Sequence, residues 1–285
     1  MQLDRRLLLV AAAAALAGGA QAAPVGFAEL ERRTQGRMGV YALDVGSGRS
    51  FGWRASERFP MCSTFKALLV GAVLARADAR SEQLDRTISY TQADVLEYAP
   101  VTSKHVSAGM TVAELCRAAI QVSDNTAANL LLKTVDGPAG LTAFVRTLGD
   151  RTTRLDRFEP ELNTAIPGDP RDTTTPMAMI RSMAVLLTGD RLSGASRQEL
   201  AYWMAGATTG LQRLRLGAKA DWRAGDKTGS GANNTVNDVA YLWPADGAPI
   251  LVCCYTTGAA APMAERELVM AEVGRRAAAL SSSRS

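Results

Sequence analysis

The chain has 285 residues, of which 47% are hydrophobic and 21% charged, with a formal net charge of +4. That allows one or two globular domains around a sizeable core and excludes a disordered or fibrous chain. No block of like charges marks a nucleic-acid face, aromatics are only 6%, and the single histidine, His105, excludes a His-rich metal site.

The first 22 residues read as a cleavable signal peptide. Arg5 and Arg6 form a basic start, Leu7–Ala17 is an apolar run of 11 residues, and Ala20-Gln21-Ala22 gives a small-x-small cleavage pattern. The apolar run is too short for a stable membrane anchor. Asp4-Arg5-Arg6-Leu7 weakly resembles a twin-arginine signal, with Sec export an equal alternative. The expected mature chain, 23–285, is a soluble periplasmic monomer with no membrane anchor.

Downstream, Met38–Val45 and Arg49–Arg54 are strand-like runs split by Gly46-Ser47-Gly48, a hairpin signal. A long helical stretch follows. Thr111-x-x-Glu114 is a capping box before an apolar helical face, and Ser196-x-x-Glu199 reads as a second. Pro176 opens a helix that Gly189 closes. The segment from Arg154 to Thr174 is too rich in Pro, Asp and Gly for regular structure, and a loop of that length calls for a function. Strand character returns at Trp222–Arg223, Asp238–Trp243 and Ile250–Thr257, Pro262 opens a last helix reaching about Ala279, and the tail Ser281–Ser285 is expected to be disordered. Strands at both chain ends predict one antiparallel sheet flanked by terminal helices, with an all-α part inserted between them: an α+β fold, not a βαβ one. The expected division is an α/β part at about 23–57 and 205–285 and an all-α part at about 58–204, together one catalytic unit.

Three short motifs carry chemistry. In Ser63-Thr64-Phe65-Lys66 the serine falls in a first helical turn and the lysine lies on the same face, three residues on. A serine hydroxyl is a poor nucleophile until a base takes its proton, and a lysine of lowered basicity one turn away can do so. Of the five lysines only Lys66 has a serine at that spacing. Ser123-Asp124-Asn125 lies between two helical runs, where a hydroxyl and an amide can relay a proton and grip a substrate amide. In Lys227-Thr228-Gly229-Ser230, on a strand, Gly229 permits close approach of a substrate backbone, and a lysine among hydroxyls suits a carboxylate. Each motif alone is common, as a capped helix, a polar turn or an edge strand.

In this order, in a secreted chain, the three resemble the serine β-lactamases and penicillin-binding proteins over essentially the whole mature sequence. Phe158-Glu159-Pro160-Glu161-Leu162-Asn163 decides between the two groups. It looks like the Ω-loop of class A β-lactamases, whose glutamate activates the deacylating water and whose asparagine helps hold it. Penicillin-binding proteins lack this loop.

The resemblance therefore implies a class A serine β-lactamase acting on small-molecule β-lactams, penicillins and also cephalosporins, with no metal or organic cofactor. Ser63 is expected to form an acyl-enzyme, Lys66 and Glu159 to share the base role in acylation, Ser123 to protonate the leaving nitrogen, and Glu159 to drive deacylation. The N–H groups of Ser63 and Ser230 would form the oxyanion hole. Asn125 would bond the substrate's side-chain amide, Lys227, Thr228, Gly229 and Ser230 would border its carboxylate, and Tyr98 would wall the site. Arg213 is the expected second cation, with Arg215 as competitor, because Asn234–Asn237 carries no basic residue. His105 is expected to be packed and structural. Arg157 and Asp172 match a salt bridge across the neck of the Ω-loop. The four cysteines, which show no C-x-x-C spacing for zinc, are expected to be unpaired, because a disulfide known in the family would join Cys62 to position 231, a glycine here. Cys116 resembles half of another family bridge, but Lys66–Gly71 offers no partner. Cys253 and Cys254 should point to opposite faces of a strand. The alternatives are a DD-peptidase or esterase of the same fold, or a β-lactam sensor that binds without hydrolysing.

Overall fold

The computed structural model describes residues 26–281. The expected signal peptide and the end of the C-terminal tail lie outside the described residues. The chain opens with α1 (Phe27–Thr34), β1 (Arg37–Asp44) and β2 (Ser50–Trp53), then a two-residue strand β3 (Phe59–Pro60) and helix α2 (Phe65–Asp78). After the short strands β4 (Thr87–Ile88) and β5 (Met110–Thr111) come α3 (Val112–Gln121), α4 (Asn125–Thr134) and α5 (Gly137–Thr147). A long irregular segment ends in β6 (Thr173–Thr174), followed by α6 (Pro176–Thr188) and α7 (Gly194–Ala205). The chain closes with β7 (Arg223–Gly231), β8 (Thr235–Trp243), β9 (Ile250–Thr257) and α8 (Met263–Ala278).

The five long strands form one antiparallel sheet in the order β2-β1-β9-β8-β7, so strands from the two ends of the chain meet where β1 pairs with β9. This is the α+β arrangement that the strand–helix–strand pattern predicts. The alternation of side chains along each strand feeds two cores. Val40, Ala42, Val252 and Cys254 pack with Val269, Met270 and Val273 of α8 on one face. Tyr41, Leu251, Cys253 and Tyr255 face the other way, into the core shared with α2, α6 and α7. Cys253 and Cys254 thus point to opposite faces, and all four cysteines are buried and unpaired.

Helix α2 runs through the larger core. Every residue from Phe65 to Leu74 is buried, the signature of a helix apolar on all sides. Full burial of each large aliphatic side chain there contributes about 1.5–3 kcal/mol, so the helix that carries Lys66 is held by packing on all sides. The capping box of α3 is present, with Thr111 Oγ1 accepting from Glu114 N at 3.2 Å and Glu114 Oε2 accepting from Thr111 N at 2.8 Å. The second expected box is corrected. Helix α7 begins at Gly194 with Ser193 as its cap, and Ser196 lies inside the first turn, bonded to Asp78 at 2.8 Å. Asp78, at the end of α2, also accepts from Ser193 Oγ, and this distant partner moves the helix start three residues upstream.

Candidate active site

The site forms where α2, the α3–α4 turn, the irregular 154–174 segment and the edge strand β7 converge. Ser63 stands in a single 3₁₀ turn, Cys62–Thr64, that leads into α2, and Lys66 is in the first turn of that helix. Asp124 caps α4 by accepting from Ala127 N at 2.9 Å, and its carboxylate also holds Thr102 through backbone and hydroxyl. That anchorage sustains the left-handed φ of +61° at Ser123 and aims the Ser123 hydroxyl into the site. Lys227 projects from the middle of β7.

These side chains form one hydrogen-bonded network. Lys66 Nζ donates to Ser123 O at 2.8 Å and to Asn125 Oδ1 at 2.6 Å, and lies 3.1 Å from Glu159 Oε1. Ser63 Oγ donates to the same Glu159 oxygen at 3.4 Å, and Asn163 Nδ2 donates to the other. Ser123 Oγ sits between the two lysines, 3.0 Å from Lys227 Nζ and 3.4 Å from Lys66 Nζ. The Lys66–Glu159 pair is fully buried. Burial pushes the Lys66 ammonium below the ordinary lysine range, and the Glu159 carboxylate opposes that shift. Burial pushes Lys227 further down, with help from the charge on Lys66 and against Asp226 and Asp238. Burial thus biases both lysines toward giving up a proton, the direction that a role in acid–base work calls for.

Thr228 Oγ1 is bonded to Thr209 at 2.7 Å, while the Ser230 side chain is exposed at the rim of the site. A Cβ at Gly229 would stand 2.8 Å from the Met61 carbonyl, so only glycine lets β7 close on the segment that leads to Ser63. The Tyr98 side chain is 52% exposed, and its carbonyl accepts from Asn125 N at 3.0 Å. Arg213 is buried and anchored on the Asn237 carbonyl at 3.1 Å and on Glu267 at 3.3 Å, without a bond to Lys227 or Thr228. Its competitor Arg215 is tied to the carbonyls of Ala205, Ala207 and Ala224 and to Asp226, a latch with no free face. His105 is corrected: its side chain is exposed, beside a surface cavity lined by Met110, Glu114 and Arg117, because its short 3₁₀ turn lies on the outside of α3. Among the described residues no group of acidic, Cys or His side chains has the geometry to hold a metal ion.

Comparison with known proteins shows the family and the fold. The beta-lactamase enzyme family matches residues 26–280. The chain is 49% identical over 274 residues to beta-lactamase AST-1 of Nocardia asteroides, covering 89% of this chain and 88% of that protein. It is also 49% identical to the carbapenem-hydrolyzing beta-lactamase KPC of Klebsiella oxytoca, over 88% of this chain and 86% of that one. The solved structure of a reconstructed last common ancestor of Gram-negative class A β-lactamases superposes with a TM-score of 0.87 at 60% identity, covering 89% of this chain and 97% of its own. The chain belongs to the class A β-lactamase family. As a β-lactamase it carries two features that the sequence reading missed. Asn129 brackets the Glu159 backbone, donating to its carbonyl and accepting from its N–H, each at 2.9 Å. The only signal was its position one helical turn after Asn125 on α4. The second is a buried carboxyl pair beneath Lys227, Asp226 and Asp238, on the same face of β7 and β8. Each has one oxygen with no hydrogen-bond partner.

Proposed function

We propose that this β-lactamase opens the lactam ring of penicillins and cephalosporins through a Ser63 acyl-enzyme, which a Glu159-activated water hydrolyses, giving antibiotic resistance. The observation that carries the reading is the Glu159 carboxylate, which contacts both Ser63 Oγ and Lys66 Nζ from within the irregular 154–174 segment. One carboxylate can then serve both half-reactions.

In acylation the Ser63 proton passes to Lys66 or Glu159 as Oγ bonds to the lactam carbonyl carbon. The oxyanion forms against the N–H groups of Ser63 and Ser230. The C–N bond then breaks, and Ser123 supplies the proton to the departing nitrogen and is resupplied from the lysine pair that flanks it. Lys227, Thr228, Gly229, Ser230 and Arg213 border the substrate carboxylate, Asn125 takes the side-chain amide, and Tyr98 walls the opening. In deacylation Glu159 takes a proton from a water that adds to the ester carbonyl, and the ester C–O bond breaks to restore the Ser63 hydroxyl. Asn163 suits this step: its Nδ2 fixes Glu159, while its buried Oδ1 has no protein partner and can accept from that water.

Glu159 and Asn163 sit on a loop that resembles the class A Ω-loop, which penicillin-binding proteins lack, and this speaks against a DD-peptidase and against a sensor that stays acylated. We further propose a periplasmic monomer released from a leader at residues 1–22. Among the described residues no helix is long and apolar enough to cross a membrane. Steady-state hydrolysis of a penicillin, a cephalosporin and a carbapenem by the wild type and Ser63→Ala tests the reading. Multiple turnovers abolished by Ser63→Ala are expected, whereas a single acylation event without turnover would favour the sensor. N-terminal sequencing of the exported protein should read Ala23.

A further inference from the structure

We propose that Asn237 is a positioning residue of the reaction, its side-chain amide clamping the strained backbone that carries Ser63. This rests on the Ser63 acyl-enzyme reading. Asn237 is the third residue of β8, fully buried, opposite Gly229 of β7 and Tyr255 of β9. A mid-strand asparagine is a poor choice for strand propensity, and a buried amide is costly unless it is bonded. Here Nδ2 donates to the carbonyls of Pro60 at 2.8 Å and Met61 at 3.1 Å, and Oδ1 accepts from Thr256 N at 3.3 Å. The donors leave the sheet for the two residues that precede the nucleophile's turn.

That turn needs holding. Cys62, between Met61 and Ser63, has φ +45°, a left-handed conformation that a side-chain-bearing residue keeps only where its surroundings over-determine it. Met61 N donates to Asp172 O at 2.9 Å, and the Met61 carbonyl accepts from Thr64 N at 3.2 Å, Thr64 Oγ1 at 2.8 Å and Asn237 Nδ2. Gly229, directly across the strand pair from Asn237, leaves room for that carbonyl to press against β7. Rotating the Met61–Cys62 peptide would turn the Ser63 N–H and hydroxyl together, away from both the oxyanion hole and Glu159.

The backbone of Asn237 does something separate: its carbonyl accepts from Arg213 Nη1 at 3.1 Å. The side chain thus fixes where the new bond forms, and the main chain fixes the cation assigned to the substrate carboxylate. Loss of the amide should impair bond formation and spare binding, a split that a general packing defect would not produce.

The test uses Asn237→Leu and Asn237→Ala, which remove both donors with and without the volume. Acylation by a penicillin is followed by quenched intact mass, at a temperature where each variant is folded. The Kd of intact penicillin is measured for the same substitutions in a Ser63→Ala background. Both variants should acylate about 10–100-fold more slowly, the scale of a small misplacement of a reacting group, with Kd within twofold. Acylation within twofold of wild type, or a loss found only in Kd, overturns the proposal. If Asn237→Leu and Asn237→Ala do not fold, Thr64→Val carries the test with the same expected split, because it removes the other side-chain donor to the Met61 carbonyl. Absence of a Ser63 adduct in the wild type would instead indict the acyl-enzyme reading.

Discussion

Arg213 stands at the start of the short helical turn that precedes β7, not on a sheet strand, and its guanidinium is bonded to one carbonyl and to Glu267. Replacing it with alanine should remove a charge-assisted contact to the substrate carboxylate, worth about 1.5–3 kcal/mol, or roughly 10–100-fold in kcat/KM. Unchanged penicillin kcat/KM in Arg213→Ala would remove it from the site. Asp226 and Asp238 give a second prediction at this scale. Burial and the neighbouring Asp226 carboxylate raise Asp238 well above the ordinary carboxylate range, and burial raises Asp226. Both carboxyls are thereby biased toward the protonated form, against the pull of Arg215, Arg213 and Lys227. An acid whose folded pKa is raised contributes stability that is fully present below its unfolded value of about 4 and is lost as pH rises through the folded value. Asp238→Asn keeps a donor in place of the proton, so its Tm should gain on the wild type progressively as pH rises above about 4. A Tm difference that is flat from acidic to alkaline pH would contradict the raised Asp238 carboxyl.

The 154–174 segment is the element on which the proposed deacylation depends, and it has little regular structure to hold it. Its neck is closed by Arg157 Nε and Asp172 Oδ2 at 2.6 Å, and Asp172 Oδ1 accepts from the N–H groups of Asp156 and Arg157. Asn129 grips the loop at Glu159 itself. Asp172→Asn should therefore slow turnover and change relative rates between penicillins and cephalosporins more than it lowers Tm. A stopped assay across both substrate classes would show wild-type rates if the neck is only decorative. The neck pair was legible in the sequence, because Arg157 and Asp172 bracket Glu159 in a recognisable run. The Asn129 clamp was not: an asparagine inside Asn-Thr-Ala-Ala-Asn-Leu reads as an ordinary exposed helical residue until the loop is folded onto it. The start of α7 was misread for a similar reason, since the Ser196-x-x-Glu199 spacing marks Ser196 as the cap in sequence, whereas in the folded chain Asp78 holds both Ser193 and Ser196 and the helix begins upstream.

Across the whole molecule, composition and element order were enough for the α+β sheet, because strand alternation and helix caps are local signals. The hydrogen-bonded cluster of the candidate site was legible through its motifs, since Ser63, Lys66, Ser123 and Lys227 each belong to a recognisable short run. Long-range partners were not: Asn237, Asp226 and Asp238 read as unremarkable polar residues in strands, and their roles exist only once β7, β8 and the Ser63 turn are packed together. The two-sided core also explains the thiols. Burial raises Cys62 to about 12, with the Glu159 charge adding to the effect, and burial raises the other three as well. Thiol titration of the mature protein should find almost no reactive groups in the native state and four after unfolding, and several fast-reacting thiols in the native protein would contradict the packing.

The central claim is that Glu159 is the base of deacylation, and intact mass of Glu159→Gln after mixing with a penicillin tests it most directly. Removing the carboxylate removes the charge that favours protonated Lys66, which leaves the lysine more readily neutral and able to accept the Ser63 proton. Acylation should therefore continue, while loss of the general base slows deacylation by about 10²–10⁴-fold. The account predicts a single stable adduct on Ser63, absent from the Glu159→Gln/Ser63→Ala double variant. Wild-type turnover by Glu159→Gln with no accumulating adduct would contradict it.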